Sequence, residues 1–376
     1  MPHSADWHLL DTNFPDLNAG IPLPARVQSA GGATLEIANL DRADPPGYSP
    51  GGVPRTSAFN KNVFRLGPDP CMPAIPVVCR VAGFDPASVP IQWRLIARHV
   101  LCRHMNTGGY RYQGSREILE REWRGQSQAS SFTVFGPNAP ECRCTYSDES
   151  RVLGGHAVLS IAAQVNGSTL LDYVHLRIAG TNPTVENVYR YLDSQLVGYD
   201  QNVATMLRAI YAHESGFQQF AARVQTQAAM TFNKRFHSDS AQSDCRVIFN
   251  WPDDPENFPL ASFDFGVGIS QFTKVGQQKV TEDIAWDWRE NIRMSANLFL
   301  RKLNAKSQPG LTWRHWAMDA WAAYNGSGVA ADLYAKQLSM SPEGSKVPLT
   351  PVAGVTQVAL INPPAALAAP GGWLVA

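Results

Sequence analysis

Apolar residues recur with two different periods along this 376-residue chain, and the period changes near its middle. In the first half, apolar and polar positions alternate within residues 91–95 and again within residues 174–178, as expected of half-buried strands. The apolar run 157–165 meets Asn166-Gly167, a pair that strongly favours a two-residue hairpin. Residues 59–182 are therefore predicted to form a β-rich, sandwich-like domain, a type of module that binds, spaces or docks.

After residue 182 the apolar period lengthens to that of helices. Thr184 can cap a helix in which apolar residues follow at fourfold spacing. These residues are Val188, Leu192 and Leu196. Residues 206–211 carry a second helical pattern, and further helices are predicted over residues 287–303 and 312–324. The mainly helical domain is predicted to span residues 183–340.

Both ends of the chain lack such periodicity. Residues 1–58 are rich in Pro, Gly, Asp and Asn and predict an irregular arm. Residues 341–376 are rich in Pro, Ala and Gly and predict a tail that wraps around its neighbours or lacks fixed structure. The fold class that follows is α+β with two domains, a β-rich one followed by a mainly helical one.

Charge and hydropathy exclude two classes of partner. Lys plus Arg equals Asp plus Glu at 32 each, so no net charge attracts nucleic acid or an anionic membrane. No run approaches the length of a membrane-spanning apolar segment, so no membrane span is expected. The first residues carry no cationic patch followed by an apolar run, so no signal peptide is expected. If the protein acts outside the cytoplasm, we expect it to be delivered by another route.

The six cysteines allow two interpretations. Five lie in the first half of the chain and one in the second: Cys71, Cys79, Cys102, Cys142, Cys144 and Cys245. No Cys-x-x-Cys pair is present, so a structural zinc site is not expected. The cysteines are either buried free thiols or partners in disulfides that form after export into an oxidising space.

Four short segments of the helical half carry residues with recognisable chemistry. They are residues 209–217 (AIYAHESGF), 266–271 (GVGISQ), 291–300 (NIRMSANLFL) and 322–326 (AAYNG). Taken together and in this order, they resemble the lytic transglycosylase and goose-type lysozyme family. The resemblance covers residues 185–340. It implies a lysozyme-like fold that cleaves the β-1,4 bond between MurNAc and GlcNAc in peptidoglycan.

The resemblance also implies roles for single residues. The Glu-Ser pair that ends the family's catalytic helix is matched by Glu214 and Ser215, with Glu214 as the catalytic acid. Five residues are implied in substrate binding: Ser215, Gly268, Gln271, Tyr324 and Asn325. No resident cofactor or metal is implied.

These residue types suit the chemistry. Protonation of a glycosidic oxygen near neutral pH requires a carboxylic acid whose pKa is raised by apolar packing and removal from water. Glu214 ends an otherwise apolar helix. Gly268 would let the backbone approach a sugar closely, and the amide of Gln271 can both donate and accept hydrogen bonds. Tyr324 and Asn325 would position the sugar or hold Glu214 itself.

Two reactions share this acid. In lytic transglycosylases, which the resemblance favours, one Glu acts as acid and then as base while the substrate's own 6-hydroxyl attacks. The product is a 1,6-anhydro muramic end. A hydrolytic muramidase needs a second carboxylate, and Asp264, four residues before Gly268, is the best candidate for it.

The interval between Glu214 and Gly268 is longer than is usual in the family, so residues 220–263 are predicted to contain an insertion. The insertion would be a lid or a substrate-selective loop. It includes an acidic run of Asp253, Asp254 and Glu256, whose oxygens could hold calcium. A solvated acidic turn is the simpler interpretation of that run and the one we favour.

Peptidoglycan glycan strands are thus the predicted partner, met in the periplasm or on the cell wall. Delivery by a secretion system, as an antibacterial effector, or by a phage, as a lysin, would bring the enzyme there. An effector would be expected to have a neutralising immunity protein. The alternative from another class is a non-catalytic cell-wall-binding or structural protein, which would explain why a β-rich half, an arm and a tail accompany the helices.

Overall fold

The computed structural model describes residues 26–42, 62–103, 115–135, 152–199, 201–220, 259, 266–273, 280–306 and 313–347. Strands lie mostly in the N-terminal half and helices in the C-terminal half, which confirms the predicted α+β class. The described residues fall into two compact units, one holding the strands up to Thr181 and the other holding the helices from Asn182. Each unit has its own apolar core.

Within the described residues, nine strands form two sheets. The strands are β1 (Ser29–Ala30), β2 (Ala33–Ile37), β3 (Val63–Arg65), β4 (Ile75–Ala82), β5 (Ile91–Arg103), β6 (Ser115–Ser127), β7 (Ser131–Val134), β8 (Gly155–Val165) and β9 (Ser168–Ala179). One sheet has the order β1-β2-β4-β7 and the other the order β3-β9-β8-β5-β6. The paired strands are antiparallel except β3 and β9, which are parallel.

The predicted alternation is confirmed in the five-stranded sheet. Leu95, Leu159 and Val174 lie side by side on β5, β8 and β9, and all three are fully buried. The hairpin at Asn166-Gly167 is also confirmed, since Val165 pairs with Ser168 across it. Both turn residues have positive φ, 49° and 78°, as a hairpin twisted like its strands requires.

β1 and β2 lie inside the segment predicted to be an irregular arm, so that prediction missed them. β2 is short, and its five residues alternate, with Ala33, Leu35 and Ile37 on the buried face. β2 pairs with β4 and also contacts β9 of the other sheet. The burial of its apolar residues against distant strands therefore stabilises β2, and five residues of local sequence predict it weakly.

A buried carboxylate links the two sheets. Asp172 on β9 is fully buried and accepts a hydrogen bond from the backbone N–H of Ile37 at 2.9 Å. Its carboxylate oxygens lie 3.4 Å from Arg26 and 3.2 Å from Arg42. Because a buried charge must be paired, these contacts are part of the framework of the strand unit.

Cys79 on β4 is a free thiol buried in this unit. Burial, followed by the charge of Asp172, raises the pKa of Cys79 to about 12, so the thiol stays protonated. The interpretation as a buried free thiol thus holds for Cys79. Three of the other cysteines, Cys142, Cys144 and Cys245, lie outside the described residues.

The helical unit contains six α-helices within the described residues. They are α1 (Val185–Gln195), α2 (Gln201–Ser215), α3 (Glu282–Trp286), α4 (Trp288–Lys306), α5 (Trp313–Asn325) and α6 (Val329–Met340). The predicted cap of the first helix is confirmed, because the Thr184 side chain accepts a hydrogen bond from the N–H of Asn187. A short 3-10 turn, Gly344–Lys346, follows α6, and Val347 beyond it is buried.

The core of the helical unit draws on α1, α2, α4, α5 and α6. Its fully buried members include Val188, Leu207, Ile210, Phe299 and Leu338. The Trp321 indole N–H donates to the carbonyl of Met206 at 3.1 Å, which ties α5 to α2. No helix among the described residues is both long and apolar enough to cross a membrane.

Candidate active site

Glu214 lies in the last turn of α2, where the helix leaves the core. The preceding residues Ala209, Ile210 and Tyr211 are fully buried, whereas Glu214 is partly exposed. The helix stops because Gly216 and Phe217 adopt left-handed backbone conformations, with φ of 61° and 65°. An acidic side chain is therefore held at the border between an apolar core and solvent.

Tyr334 on α6 holds the carboxyl group of Glu214. Its hydroxyl donates a hydrogen bond to Glu214 Oε1 at 2.5 Å, and its side chain is 6% exposed. Burial, and then the neighbouring charge of Glu214, raises the pKa of Tyr334 well above its ordinary value. Tyr334 therefore keeps its proton and stays a hydrogen-bond donor near neutral pH.

Ser215 joins the end of α2 to the glycine-rich segment. Its buried hydroxyl donates to the carbonyl of Ile269 at 2.7 Å and accepts from the N–H of Gln218 at 3.1 Å. The structure therefore gives Ser215 a role in fixing the segment that follows Glu214 in space.

Ser215→Ala is expected to lower the free energy of unfolding by about 1.5 kcal/mol, because the Ile269 carbonyl and the Gln218 N–H lose a buried partner. Denaturant unfolding measures this change. Ser194→Ala is the control, since the exposed Ser194 hydroxyl also donates to a backbone carbonyl but water can replace it. Equal effects of the two substitutions would contradict the assigned role of Ser215.

The glycine-rich segment is a tight loop closed by a backbone bridge. Val267 and Phe272 exchange two backbone hydrogen bonds of 3.0 Å each. Gly268 and Gln271 inside the loop have positive φ, 73° and 49°. The Gln271 side chain donates to the carbonyl of Gly268 at 2.8 Å, so its amide helps to fold the loop.

The absence of a side chain at Gly268 makes room for Gln219. A Cβ on Gly268 would lie 2.3 Å from Gln219 Oε1. Gln219 is fully buried, accepts from the N–H of Ile269 and donates to the carbonyls of Ile284 and Ala285. The sequence predicts that this glycine admits a sugar, whereas in the structure the space it leaves is filled by the protein's own amide.

Asn291 holds the same loop from α4. Its Oδ1 accepts from both the N–H and the hydroxyl of Ser270, at 3.0 and 2.8 Å. Its Nδ2 donates to the carbonyls of Val267 and Ile284, at 2.7 and 3.1 Å. Because Asn291 is fully buried, these four bonds fix the loop against the helix.

Tyr324, near the end of α5, also contacts the loop. Its hydroxyl donates to the carbonyl of Ser270 at 3.0 Å. Burial, then the proximity of Tyr211 and Glu214, raises the pKa of Tyr324 well above its ordinary value. Of the two tyrosines beside Glu214, the hydrogen bond to the carboxyl group thus comes from Tyr334, and Tyr324 braces the loop. Asn325, the last residue of α5, is exposed.

Several predicted residues lie outside the described part of the chain. These are Asp264, the candidate second carboxylate, and Asp253, Asp254 and Glu256, the candidate calcium ligands. Among the residues that are described, no group of three or more His, Cys, Asp or Glu side chains could hold a metal ion.

Two residues that shape the site were not predicted, Tyr334 and Gln219. Tyr334 belongs to α6, which begins directly after Gly328. The Asn325-Gly326 pair before it is typical of a helix end. The spacing of Ala331, Tyr334 and Leu338 would have predicted α6, but not its contact with Glu214. Gln219 carries no local signal, because its partners are backbone groups more than forty residues away.

Comparisons with models of known protein families, with curated proteins and with solved structures found no match for this chain. Function is therefore inferred from the residues and contacts described above.

Proposed function

We propose that this protein cleaves peptidoglycan glycan strands as a lytic transglycosylase, with Glu214 as its catalytic acid and base. One observation supports this above the others. The segments that resemble the family are distant in sequence, yet hydrogen bonds join them beside Glu214. Ser215 binds Ile269, Asn291 binds Ser270, and Tyr324 binds the Ser270 carbonyl.

The environment of Glu214 suits proton transfer in both directions. An acid must be able to hold a proton near neutral pH, which a border with an apolar core favours. The same group must then be stable as a carboxylate, which the hydroxyl of Tyr334 favours by donating to Oε1. A carboxyl group placed between these two influences can give a proton and take one back.

The proposed reaction needs only Glu214 as its acid and base. Glu214 donates its proton to the glycosidic oxygen, and the bond from that oxygen to the anomeric carbon of MurNAc breaks. The 6-hydroxyl of the same MurNAc then attacks the anomeric carbon, and Glu214 takes the hydroxyl proton. The products are a free GlcNAc hydroxyl and a 1,6-anhydro MurNAc end, and Glu214 is protonated again for the next cycle.

The braced loop is proposed to form the floor against which the sugar binds. Backbone groups of Gly268 and the side chain of Gln271 are candidates for contacts to it, and the exposed Asn325 is a candidate at the rim. Loop rigidity matters, because misplacement of a sugar by about 1 Å can cost a hundredfold in rate. Gln219 and Asn291 are the residues that hold the loop.

Tyr334→Phe is expected to lower kcat about tenfold, which corresponds to the loss of one hydrogen bond to a charged group. Without the phenol, the neutral acid form of Glu214 is favoured, so the alkaline limb of the pH–rate profile should move to higher pH. The profile of kcat on purified sacculi measures both effects. Tyr199→Phe, which removes a hydroxyl from the turn after α1, is the control. An unchanged profile in Tyr334→Phe would exclude the proposed role.

Hydrolysis with Asp264 as a second carboxylate is the alternative reaction. The two reactions differ in the ends that they create, since hydrolysis leaves a reducing MurNAc and transglycosylation does not. Counting new reducing ends in digested sacculi separates them. Release of fragments without new reducing ends is the expected result, and one reducing end per cleaved bond would establish a muramidase.

A non-catalytic cell-wall-binding or structural role is the alternative from another class. It predicts binding to sacculi without release of any fragment. The site of action is proposed to be the cell wall. Delivery by a secretion system or a phage, and neutralisation by an immunity protein, stay predictions from the sequence.

A further inference from the structure

His213 precedes Glu214 on α2 and contacts the same tyrosine. The rings of His213 and Tyr334 meet edge to face, with centroids 5.2 Å apart and planes at 84°. This lies within the range in which such aromatic contacts are favourable. Two consecutive residues of α2 therefore contact the side chain of Tyr334. The carboxyl group of Glu214 binds its hydroxyl, and the imidazole of His213 packs against its ring.

The double contact places the imidazole close to the bond between Tyr334 and Glu214. The buried ring of Tyr334 lies between the two side chains of α2 and the helical core. A positive charge on the imidazole would therefore form beside the carboxyl group of Glu214.

If Glu214 is the acid of the proposed reaction, on which this inference rests, the geometry assigns His213 as a pH-sensitive positioning residue. We propose that neutral His213 leaves Glu214 able to hold the proton that it donates. Protonated His213 instead holds Glu214 in its carboxylate form. The site would then lose activity as the imidazole gains a proton.

Two titratable groups lie beside His213: Glu214, the next residue of its own helix, and Tyr334 on α6. α6 also carries the exposed Asp332 and Lys336, whose charges are opposite. Partial desolvation lowers the pKa of His213 from its ordinary value of 6.5, so the imidazole is neutral at pH 7. As the pH falls below the lowered pKa of His213, the imidazolium forms. A cation near Glu214 favours its carboxylate form, which has no proton to donate.

The test compares kcat at pH 5 with kcat at pH 7 on purified sacculi. His213→Phe keeps a ring against Tyr334 but cannot gain a proton. Its ratio of the two rates is expected to exceed that of the wild type about threefold, the order of effect of one nearby unit charge in a water-like medium. His213→Gln should change the ratio in the same direction, which guards against misfolding of a single variant. Glu186→Gln, which removes an exposed charge at the start of α1, should leave the ratio unchanged.

A second readout does not depend on activity. Charge coupling is reciprocal, so Glu214→Gln should lower the titration midpoint of His213, followed by NMR, by about 0.5. The His213 signal is assigned as the one absent from His213→Phe. An unchanged midpoint together with an unchanged rate ratio would overturn the role of His213 while leaving the proposed function intact. Lack of any cleavage by the wild type would overturn the proposed function itself.

Discussion

Glu214→Gln is expected to lower the rate of fragment release from sacculi about a thousandfold, within the range that general acid catalysis contributes. The amide has nearly the size of the acid and can still accept the hydrogen bond from Tyr334. It cannot deliver a proton to a glycosidic oxygen. Because Glu214 is partly exposed and no core contact changes, the thermal unfolding midpoint should stay within about 1 °C of the wild type. The measurement is the initial rate of release of soluble glycan at saturating enzyme.

Glu186→Gln is the matched control for this prediction. Glu186 lies in the first turn of α1, and its side chain is 85% exposed. The same chemical change there should leave the rate unaltered. Residual activity in Glu214→Gln above a tenth of the wild-type rate would remove Glu214 from the role of catalytic acid.

Gly268→Ala is expected to lower the free energy of unfolding of the helical unit by about 3 kcal/mol. Two causes add up, the positive φ of the backbone at this position and the steric overlap of the new methyl group with Gln219. The added Cβ would lie 2.3 Å from Gln219 Oε1. Gln219 cannot retreat without breaking its hydrogen bonds to Ile269, Ile284 and Ala285. Since the loop would shift instead, sacculus cleavage should fall as well. Denaturant unfolding gives the free energy, and the release assay gives the activity.

Gly216→Ala separates the two causes. Gly216 also has positive φ, 61°, but a Cβ there would meet nothing within 4 Å. Its substitution should therefore cost only the backbone strain, about 1 kcal/mol. Similar losses in the two variants would show that the contact with Gln219 does not constrain the loop.

Features with a local cause were predictable from the sequence. The two-residue hairpin follows from the left-handed preference of Asn166 and Gly167, and the start of α1 follows from the hydroxyl of Thr184. Strand alternation in residues 91–95 and 174–178 follows from burial of one face of a sheet. Each of these depends on neighbours a few positions away.

Contacts over long sequence distances were not predictable. Tyr334 and Glu214 are 120 positions apart in the sequence, and no pattern near either residue predicts their contact. The sequence predicted that Gly268 leaves space beside the backbone, but it could not show whether a sugar or Gln219 fills that space. Short β2 was missed for a related reason, since its partners on β4 and β9 lie far along the chain.

The most direct test of the proposed function is mass spectrometry of the soluble products that the protein releases from purified sacculi, with Glu214→Gln digested in parallel. We predict muropeptides that end in 1,6-anhydro MurNAc from the wild type and none from Glu214→Gln. Muropeptides with reducing MurNAc ends would contradict transglycosylation and direct attention to Asp264. No released muropeptide from either protein would contradict peptidoglycan cleavage altogether.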